Sequence, residues 1–296
     1  MTGDSEVIRA ALQRACAHLT LDAVGATLVH SGENTIFALP SRVIARVSRP
    51  GQVAAARREV AVAQWMLEAA IPAVRPLEDL DHPVVVGDRA VTFWHELPPH
   101  RHGQPAEIAQ ALQRLHNAKP PEEPRLGEID PFVRLPERIQ AAITLTPDDR
   151  AWLDTRLDEL TRRWAKRPAG DPLCVVHGDA WSGNVVATDS HVLFLDLERT
   201  ALGPPEWDLV HTALQRHSLG KIPASDYTTF CETYGRDVTE WAGYPLLRDI
   251  RELRMTTMAA QVAANHPDIE QQANHRIECL QGKHGPRPWS GWSPVT

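Results

Sequence analysis

Between Val175 and Asp196 the chain reads Val175-Val176-His177-Gly178-Asp179-Ala180-Trp181-Ser182-Gly183-Asn184-Val185-Val186, then Val192-Leu193-Phe194-Leu195-Asp196. An apolar strand delivers a polar loop, and a second apolar strand ends on another carboxylate. No other stretch constrains the chain so tightly. Asp179, Asn184 and Asp196 offer hard oxygen donors, a set that suits Mg²⁺ and not zinc.

Asp179 and Asn184 sit five apart, the spacing of base and metal ligand in the kinase catalytic loop H-R-D-x-x-x-x-N. Asp196 stands where the metal-holding Asp of the D-F-G element would, though the letters here are Asp196-Leu197-Glu198. His-Gly-Asp, four residues, Asn, an apolar run into Asp, and then Gly203-Pro204-Pro205-Glu206-Trp207-Asp208-Leu209 resemble the aminoglycoside phosphotransferase and choline kinase-like family. The His-Gly-Asp-x-Trp-Ser-Gly-Asn wording is also similar to the fructosamine kinase branch, but Leu197-Glu198 replace the Pro-Ala expected there. The specific motifs lie at residues 177–208, with softer ones at 31–59.

A chain of 296 residues exceeds the usual size of one hydrophobic core, so two domains are expected. Its 43% hydrophobic and 23% charged residues fit an ordinary soluble globular protein. No apolar run approaches the ~18 residues of a membrane span. Asp4 and Glu6 precede the first basic residue, Arg9, which is not the pattern of a secretory signal. Cys16, Cys174, Cys231 and Cys279 are far apart, as expected of free thiols in a reducing cytoplasm. Net charge of −7 argues against nucleic acid as a partner. Residues 1–97 hold 11 acids and 9 bases, and residues 98–296 hold 27 acids and 22 bases. The more acidic second part would suit a cationic acceptor, or is simply a solvated acidic surface.

Residues 5–19 read as a short amphipathic helix with Ser5 as its cap. Three short strands follow at 26–30, 35–39 and 42–47, joined by tight turns. The turn Ser31-Gly32-Glu33-Asn34 would cover nucleotide phosphates with its backbone N–H groups; alone, it is a plain hairpin turn. There is no lysine before Lys119, so Arg46 on the third strand is the cation available for the α/β-phosphates. Alternation places Ile44 and Arg46 on one face and Val43, Ala45 and Val47 on the other. Residues 52–70 carry an apolar stripe of Ala56, Val60, Ala63, Met66, Leu67 and Ala70 at helical spacing, and Glu59 lies inside it. A carboxylate there needs a cationic partner. We expect Glu59 to orient Arg46.

A hairpin at 83–94 around Gly87-Asp88 would complete a five-stranded antiparallel sheet. His95-Glu96-Leu97 then enters a proline-containing crossover. By resemblance this is the hinge, where backbone groups of Glu96 and Leu97 would bind the nucleobase edge. Helices are expected at 107–119, 147–167, 224–235, 245–265 and 268–282. Residues 173–196 form the hairpin that carries the site. His177 is read as a brace for the loop. Asp208 is either the residue that ties the loop to the helix behind it or an ordinary first-turn acid. Trp181 either lines an acceptor site or fills the core. Glu198 would meet the acceptor or the metal's surroundings, and Asp249 and Glu252 are candidates for an amine contact. The Trp- and Pro-containing tail after Gly285 is too aromatic for a free linker and should pack back on the chain.

The resemblance thus implies a two-lobed, protein-kinase-like α+β fold, with an N-lobe at 1–97 (five-stranded antiparallel sheet plus helix) and a mainly helical C-lobe at 98–296. The activity implied is Mg²⁺-dependent transfer of the γ-phosphoryl group of ATP or GTP to a hydroxyl of a small molecule. An aminoglycoside or other amine-bearing sugar or antibiotic leads as acceptor, which would make this a cytoplasmic resistance enzyme. A metabolic kinase for choline, ethanolamine, fructosamine or a sugar is the alternative, and a nucleotide-binding pseudokinase scaffold is a third. No nucleic-acid or membrane partner is expected.

Overall fold

The computed structural model describes residues 2–32, 34–78, 80–293 and 295, with side chains from residue 5 onward. Its contacts divide into two compact units. Met1–Gly103, Ala118–Gly127 and Ser182–Thr200 form the first, and Gln104–Asn117, Glu128–Trp181 and Ala201–Thr296 the second. The division therefore differs from a single cut at 97/98. The reason is strand pairing: a short strand at Arg101–His102 pairs with Val185–Ala187, and Ala73 bridges Phe194, so residues 182–200 join the first unit.

In the first unit, helix α1 (Thr2–His18) precedes strands β1 (Thr27–Ser31), β2 (Asn34–Leu39) and β3 (Val43–Ser48). Helix α2 (Val53–Glu68) and strands β4 (Val84–Val86) and β5 (Arg89–His95) follow. The sheet order is β1-β2-β3-β5-β4, antiparallel throughout. This is the five-stranded sheet expected from the β-branched runs. Ser5, however, lies within α1 and is not its cap.

Alternation decides what each face of the sheet carries. Val43, Ala45 and Val47 are buried in a cluster with Phe37, Leu39, Val91 and Phe93, packed against Leu12, Ala15 and Cys16 of α1. The other face presents Arg46 toward α2, whose Glu59 lies in the stripe with Val62, Ala63 and Met66. In a second, three-stranded sheet of this unit, strand β6 (Arg101–His102) pairs with β8 (Val185–Ala187), which pairs with β9 (Val192–Phe194). A 3₁₀ turn at Leu197–Arg199 closes the segment.

The second unit is mainly helical. It contains α3 (Pro105–His116), α4 (Leu135–Ala141), α5 (Pro147–Trp164), strand β7 (Cys174–Val176), strand β10 (Ala201–Gly203), α6 (Glu206–His217), α7 (Ala224–Tyr234), α8 (Tyr244–Ala263) and α9 (Glu270–Leu280). Thr146 caps α5 by accepting the Asp149 N–H at 3.1 Å, which satisfies one of the donors left open at the start of a helix. Sequence periodicity gave no sign of α4, β6 or β10, each too short to establish a period. The expected tail packing is present: Trp289 and Trp292 are buried with Leu214, Leu219 and Cys279. All four cysteines are free, and no helix among the described residues is long and apolar enough to cross a membrane.

Candidate active site

The strands flanking the His-Gly-Asp loop do not form a hairpin with each other, contrary to expectation. β7 pairs with β10, with Val176 opposite Ala201, whereas β8 pairs with β9. The division between units falls after Trp181, so Asp179 belongs to the helical unit and Asn184 and Asp196 to the sheet unit. Each set is built by its own surroundings.

In the helical unit the loop hangs from Asp208. Its Oδ2 accepts the His177 N–H at 2.7 Å and its Oδ1 the Gly178 N–H at 2.9 Å. His116 Nε2 lies 3.2 Å from the same Oδ2, and its Nδ1 lies 2.8 Å from the Tyr234 hydroxyl. Burial works to raise the Asp208 pKa, but the His116 hydrogen bond and the charges of His116, His177 and Arg251 hold it below the ordinary carboxylate range. This anchoring is the first of the two readings of Asp208. Gly178 has φ +85°, a left-handed conformation that glycine adopts freely and that turns the loop after β7. His177 is buried, and its Nδ1 accepts the Asp179 N–H at 3.2 Å. It braces the loop.

Asp179 receives Arg251. The guanidinium donates from Nη1 to Asp179 Oδ1 at 3.0 Å, and from Nη2 to the carbonyls of Gly178 (2.9 Å) and Trp207 (3.1 Å). It also stacks over the Trp207 ring at 4.1 Å, while Trp207 Nε1 donates to the Gly178 carbonyl at 3.0 Å. Desolvation would raise the Asp179 pKa, but Arg251 first, then His211, Arg254 and His177, bring it below its ordinary value. Burial lowers the His211 pKa to about 4, so its charge acts on Asp179 only in acid, and at neutral pH Arg251 is the cation that faces the carboxylate. The result is a carboxylate held ionised at neutral pH, able to accept a proton from a hydroxyl.

Arg251 escaped the sequence reading, although a signal existed. It lies four residues after Leu247, within the buried stripe of α8. The reasoning that singled out Glu59 in its stripe applies equally to an arginine.

In the sheet unit, Asn184 and Asp196 stand at one end of the β8–β9 ribbon. Val185 pairs with Phe194, and one step further the Leu195 N–H donates to the Asn184 carbonyl at 2.8 Å. Asp196 follows immediately with φ 55° and ψ 69°, a conformation uncommon for a non-glycine residue and concentrated at functional positions. Strand register therefore delivers an amide oxygen and a carboxylate to one ribbon end. Hard donors of this kind fit Mg²⁺.

The expected Arg46–Glu59 pair is also present. Arg46 Nη1 donates to Glu59 Oε1 at 2.8 Å, and the guanidinium stacks over Trp94 at 5.0 Å. Arg58 of α2 donates to the carbonyls of Glu198, at 3.0 Å, and Thr200, which ties α2 to the turn after Asp196. The Glu198 side chain faces Arg199 at 3.4 Å.

Other expectations need correction. Gly32 N–H donates to the Asn34 carbonyl at 3.2 Å, so this amide closes the turn between β1 and β2 and does not point at a phosphate. Ser31 ends β1 and Asn34 begins β2; Glu33 lies outside the described residues. Glu96 N–H donates to the Arg42 carbonyl at 3.0 Å and its side chain pairs with Arg42 Nε at 3.3 Å. That amide extends the β3–β5 ladder and is not open to a nucleobase. Leu97 follows, half-buried.

Asp249 and Glu252, expected to meet an amine, are taken up inside the protein. Asp249 is met by Arg156 at 2.8 Å, Arg248 at 2.9 Å, Arg287 at 3.4 Å and Arg163 at 3.5 Å. Glu252 is fully buried against Arg287, with contacts of 2.7 and 2.5 Å. Their spacing on α8 gave no hint of these partners, because Arg287 comes from the tail and Arg156 from α5. Trp181 is half-buried, and its N–H donates to the Asp179 carbonyl at 3.0 Å.

A family model described as the phosphotransferase enzyme family matches residues 28–248. Among solved structures, the amicoumacin kinase hAmiN is similar at 14% identity, covering 99% of both chains with a TM-score of 0.71. A choline/ethanolamine kinase family protein from Mesorhizobium loti is similar at 16% identity, with 94% of each chain covered and a TM-score of 0.63. The aminoglycoside phosphotransferase APH(3'')-Id from Streptomyces rimosus shares 22% identity over 81% of this chain and 97% of its own, with a TM-score of 0.61. A search of curated protein sequences found no match. At these identities the structural likenesses speak to the fold, which is the kinase-like α+β arrangement.

Proposed function

Since this chain belongs to the phosphotransferase enzyme family, we propose that it moves the γ-phosphoryl group of ATP or GTP onto a hydroxyl of a small molecule. The observation that carries this reading is Asp179, a partly exposed carboxylate kept ionised by a buried arginine. Asp179 takes the proton of the acceptor hydroxyl as that oxygen bonds to the γ-phosphorus. The bond to the bridging oxygen breaks, and the nucleoside diphosphate leaves with that electron pair. His177 and Asp208 fix the loop so that the carboxylate stays in place. Arg46, aimed by Glu59, steadies the α/β-phosphates. Asn184 and Asp196 are the residues that would hold Mg²⁺, whose charge neutralises the phosphates when it is bound with nucleotide. Most of the rate then comes from positioning and charge rather than covalent chemistry.

For the acceptor we favour an amine-bearing sugar or antibiotic. Aminoglycosides, choline and ethanolamine, for which similar structures are named, all carry both a cationic nitrogen and a hydroxyl. The amine contact would fall to residues other than Asp249 and Glu252, whose charge is already matched by arginines. Trp181 and Glu198, which meets Arg199 but is 24% exposed where Glu252 is fully buried, remain the candidates. We place the enzyme in the cytoplasm, where its four free thiols suit the reducing conditions and where it would protect against an antibiotic. The test is nucleotide turnover with Mg²⁺ across a panel of aminoglycosides, amino alcohols and sugars. Release of ADP or GDP stimulated by one compound, with a phosphate monoester of that compound found by mass spectrometry, is the expected result. Turnover that no acceptor stimulates would overturn it.

A further inference from the structure

Far along the chain from the residues above, the end of α9 gathers three ligands of a different kind. His275 and Cys279 are four apart and so share one helix face, and the chain then turns to bring His284 back over them. The two imidazoles lie 4.5 Å apart, centroid to centroid. Cys279 Sγ is 3.6 Å from His275 Nε2. One ligand atom from each of the three residues falls within 4.8 Å of the others.

These separations have a chemical meaning. With Zn–S near 2.3 Å and Zn–N near 2.05 Å, a tetrahedral ion sets its S···N edge at about 3.6 Å and its N···N edge at about 3.3 Å. The Cys279–His275 edge already has that length. His284 is the exposed member, with 39% of its side chain accessible, and a rotation there closes the remaining gap.

The surroundings match as well. Glu278 Oε2 lies 2.8 Å from His284 Nε2, which leaves Nδ1 to ligate, the carboxylate–histidine–metal relation that fixes a ligand's tautomer. Trp292 Nε1 donates to Cys279 Sγ at 3.4 Å, which fixes the direction in which the sulfur faces. The Ser290 carbonyl, 2.9 Å from His275 Nε2, takes that ring's N–H in the metal-free protein. On loading, the ring proton moves to Nδ1 and the thiol proton leaves to solvent. Two imidazoles and a thiolate select zinc over the hard ion of the kinase reaction.

We propose that His275, Cys279 and His284 form a Zn²⁺ site, with water as fourth ligand and Glu278 orienting His284. Its role is to clasp the tail. Trp289 and Trp292, stacked with their centroids 5.8 Å apart, follow directly after the turn that carries His284, and Arg287 between them and the turn closes on Glu252. Zinc joining α9 to that turn fixes the segment from which all three side chains hang.

The test uses the full chain, stripped with a chelator and titrated with Co²⁺ alone, without nucleotide. We expect one equivalent to bind with a thiolate-to-cobalt charge-transfer band and tetrahedral visible bands, both removed by Zn²⁺. Cys279→Ser and His284→Ala should each abolish the charge-transfer band, and Glu278→Gln should weaken binding about 10-fold. His284 is exposed, so H284A keeps its fold, checked by circular dichroism, and its nucleotide turnover is unchanged. Zn²⁺ should raise the melting midpoint of the wild type by about 5 °C and leave that of H284A where it is. Absence of the band in the wild type, its persistence in H284A, or equal thermal shifts in both proteins would overturn the assignment. None of these outcomes depends on the protein being a kinase.

Discussion

In each unit of this protein an arginine–carboxylate pair at the proposed site packs against a tryptophan ring, and these two pairs are mirror images in exposure. In the sheet unit the acid is the hidden member: the Glu59 side chain is 8% exposed and that of Arg46 17%, with Arg46 stacked on Trp94. In the helical unit the base is hidden: Arg251 is 3% exposed and Asp179 36%, with Arg251 stacked on Trp207. The more accessible member is the one to which we assign the chemistry, a cation for phosphates in the first case and a proton acceptor in the second. The hidden member holds it in place, and in the helical unit Arg251 also keeps Asp179 ionised. A buried charge is costly without a partner, so each holder is committed to its pair and fixes the geometry of the other.

That contrast can be broken by experiment. Asp179→Asn should cost the most: kcat about 10³-fold lower, with nucleotide affinity within about twofold of the wild type because the phosphates are held elsewhere. Turnover at the wild-type level would remove the proposed base. Asp208 is a holder with no working face, fully buried under two loop amides and His116. Asp208→Asn should destabilise the protein by about 3 kcal/mol near neutral pH, measured by urea unfolding. Its folded pKa lies below the ordinary 3.8, so the ionised carboxylate adds stability above that value. The gap between wild type and variant should therefore be full at neutral pH and shrink as pH falls through the folded pKa. A gap that does not change with pH would mean that the carboxylate's charge is not what matters.

Arg251→Met comes next, with kcat expected to drop about 10- to 100-fold. Losing the guanidinium raises the pKa of Asp179, so the acid limb of the kcat/KM profile should move to higher pH. If that limb stays put, Arg251 positions the loop but does not hold the charge. The sheet pair should show the smallest effects and the same hierarchy. Arg46→Ala should raise the nucleotide KM about 10-fold, and Glu59→Gln only about threefold. Should Glu59→Gln prove the more damaging of the two, the assignment of working and holding members would be reversed.

Much of this was legible residue by residue. Strand alternation over Val43–Val47 placed Arg46 on the face opposite Ala45, and a glutamate inside an apolar helical stripe required a cation. Those are local rules, and the structure obeys them. Asp249 and Glu252 defeated the same style of reasoning, because their partners Arg156 and Arg287 arrive from elements far away in sequence. The His177–Asn184 loop was recognised by its letters, yet its flanking strands were paired incorrectly. Three-residue strands such as β7 and β10 carry too little pattern to name a partner, and β10 was not visible at all.

The sequence alone determined the family and which side chains we assign to the chemistry: a fixed spacing of oxygen donors, the lack of any early lysine, and the family match all reside in the letters. What folding alone decided is the electrical state of those groups. Arg251 reaches Asp179 across 72 residues and Asp208 reaches His177 across 31. Charge–charge energies depend on separation in space and on the loss of water around the pair, and neither quantity can be read along the chain.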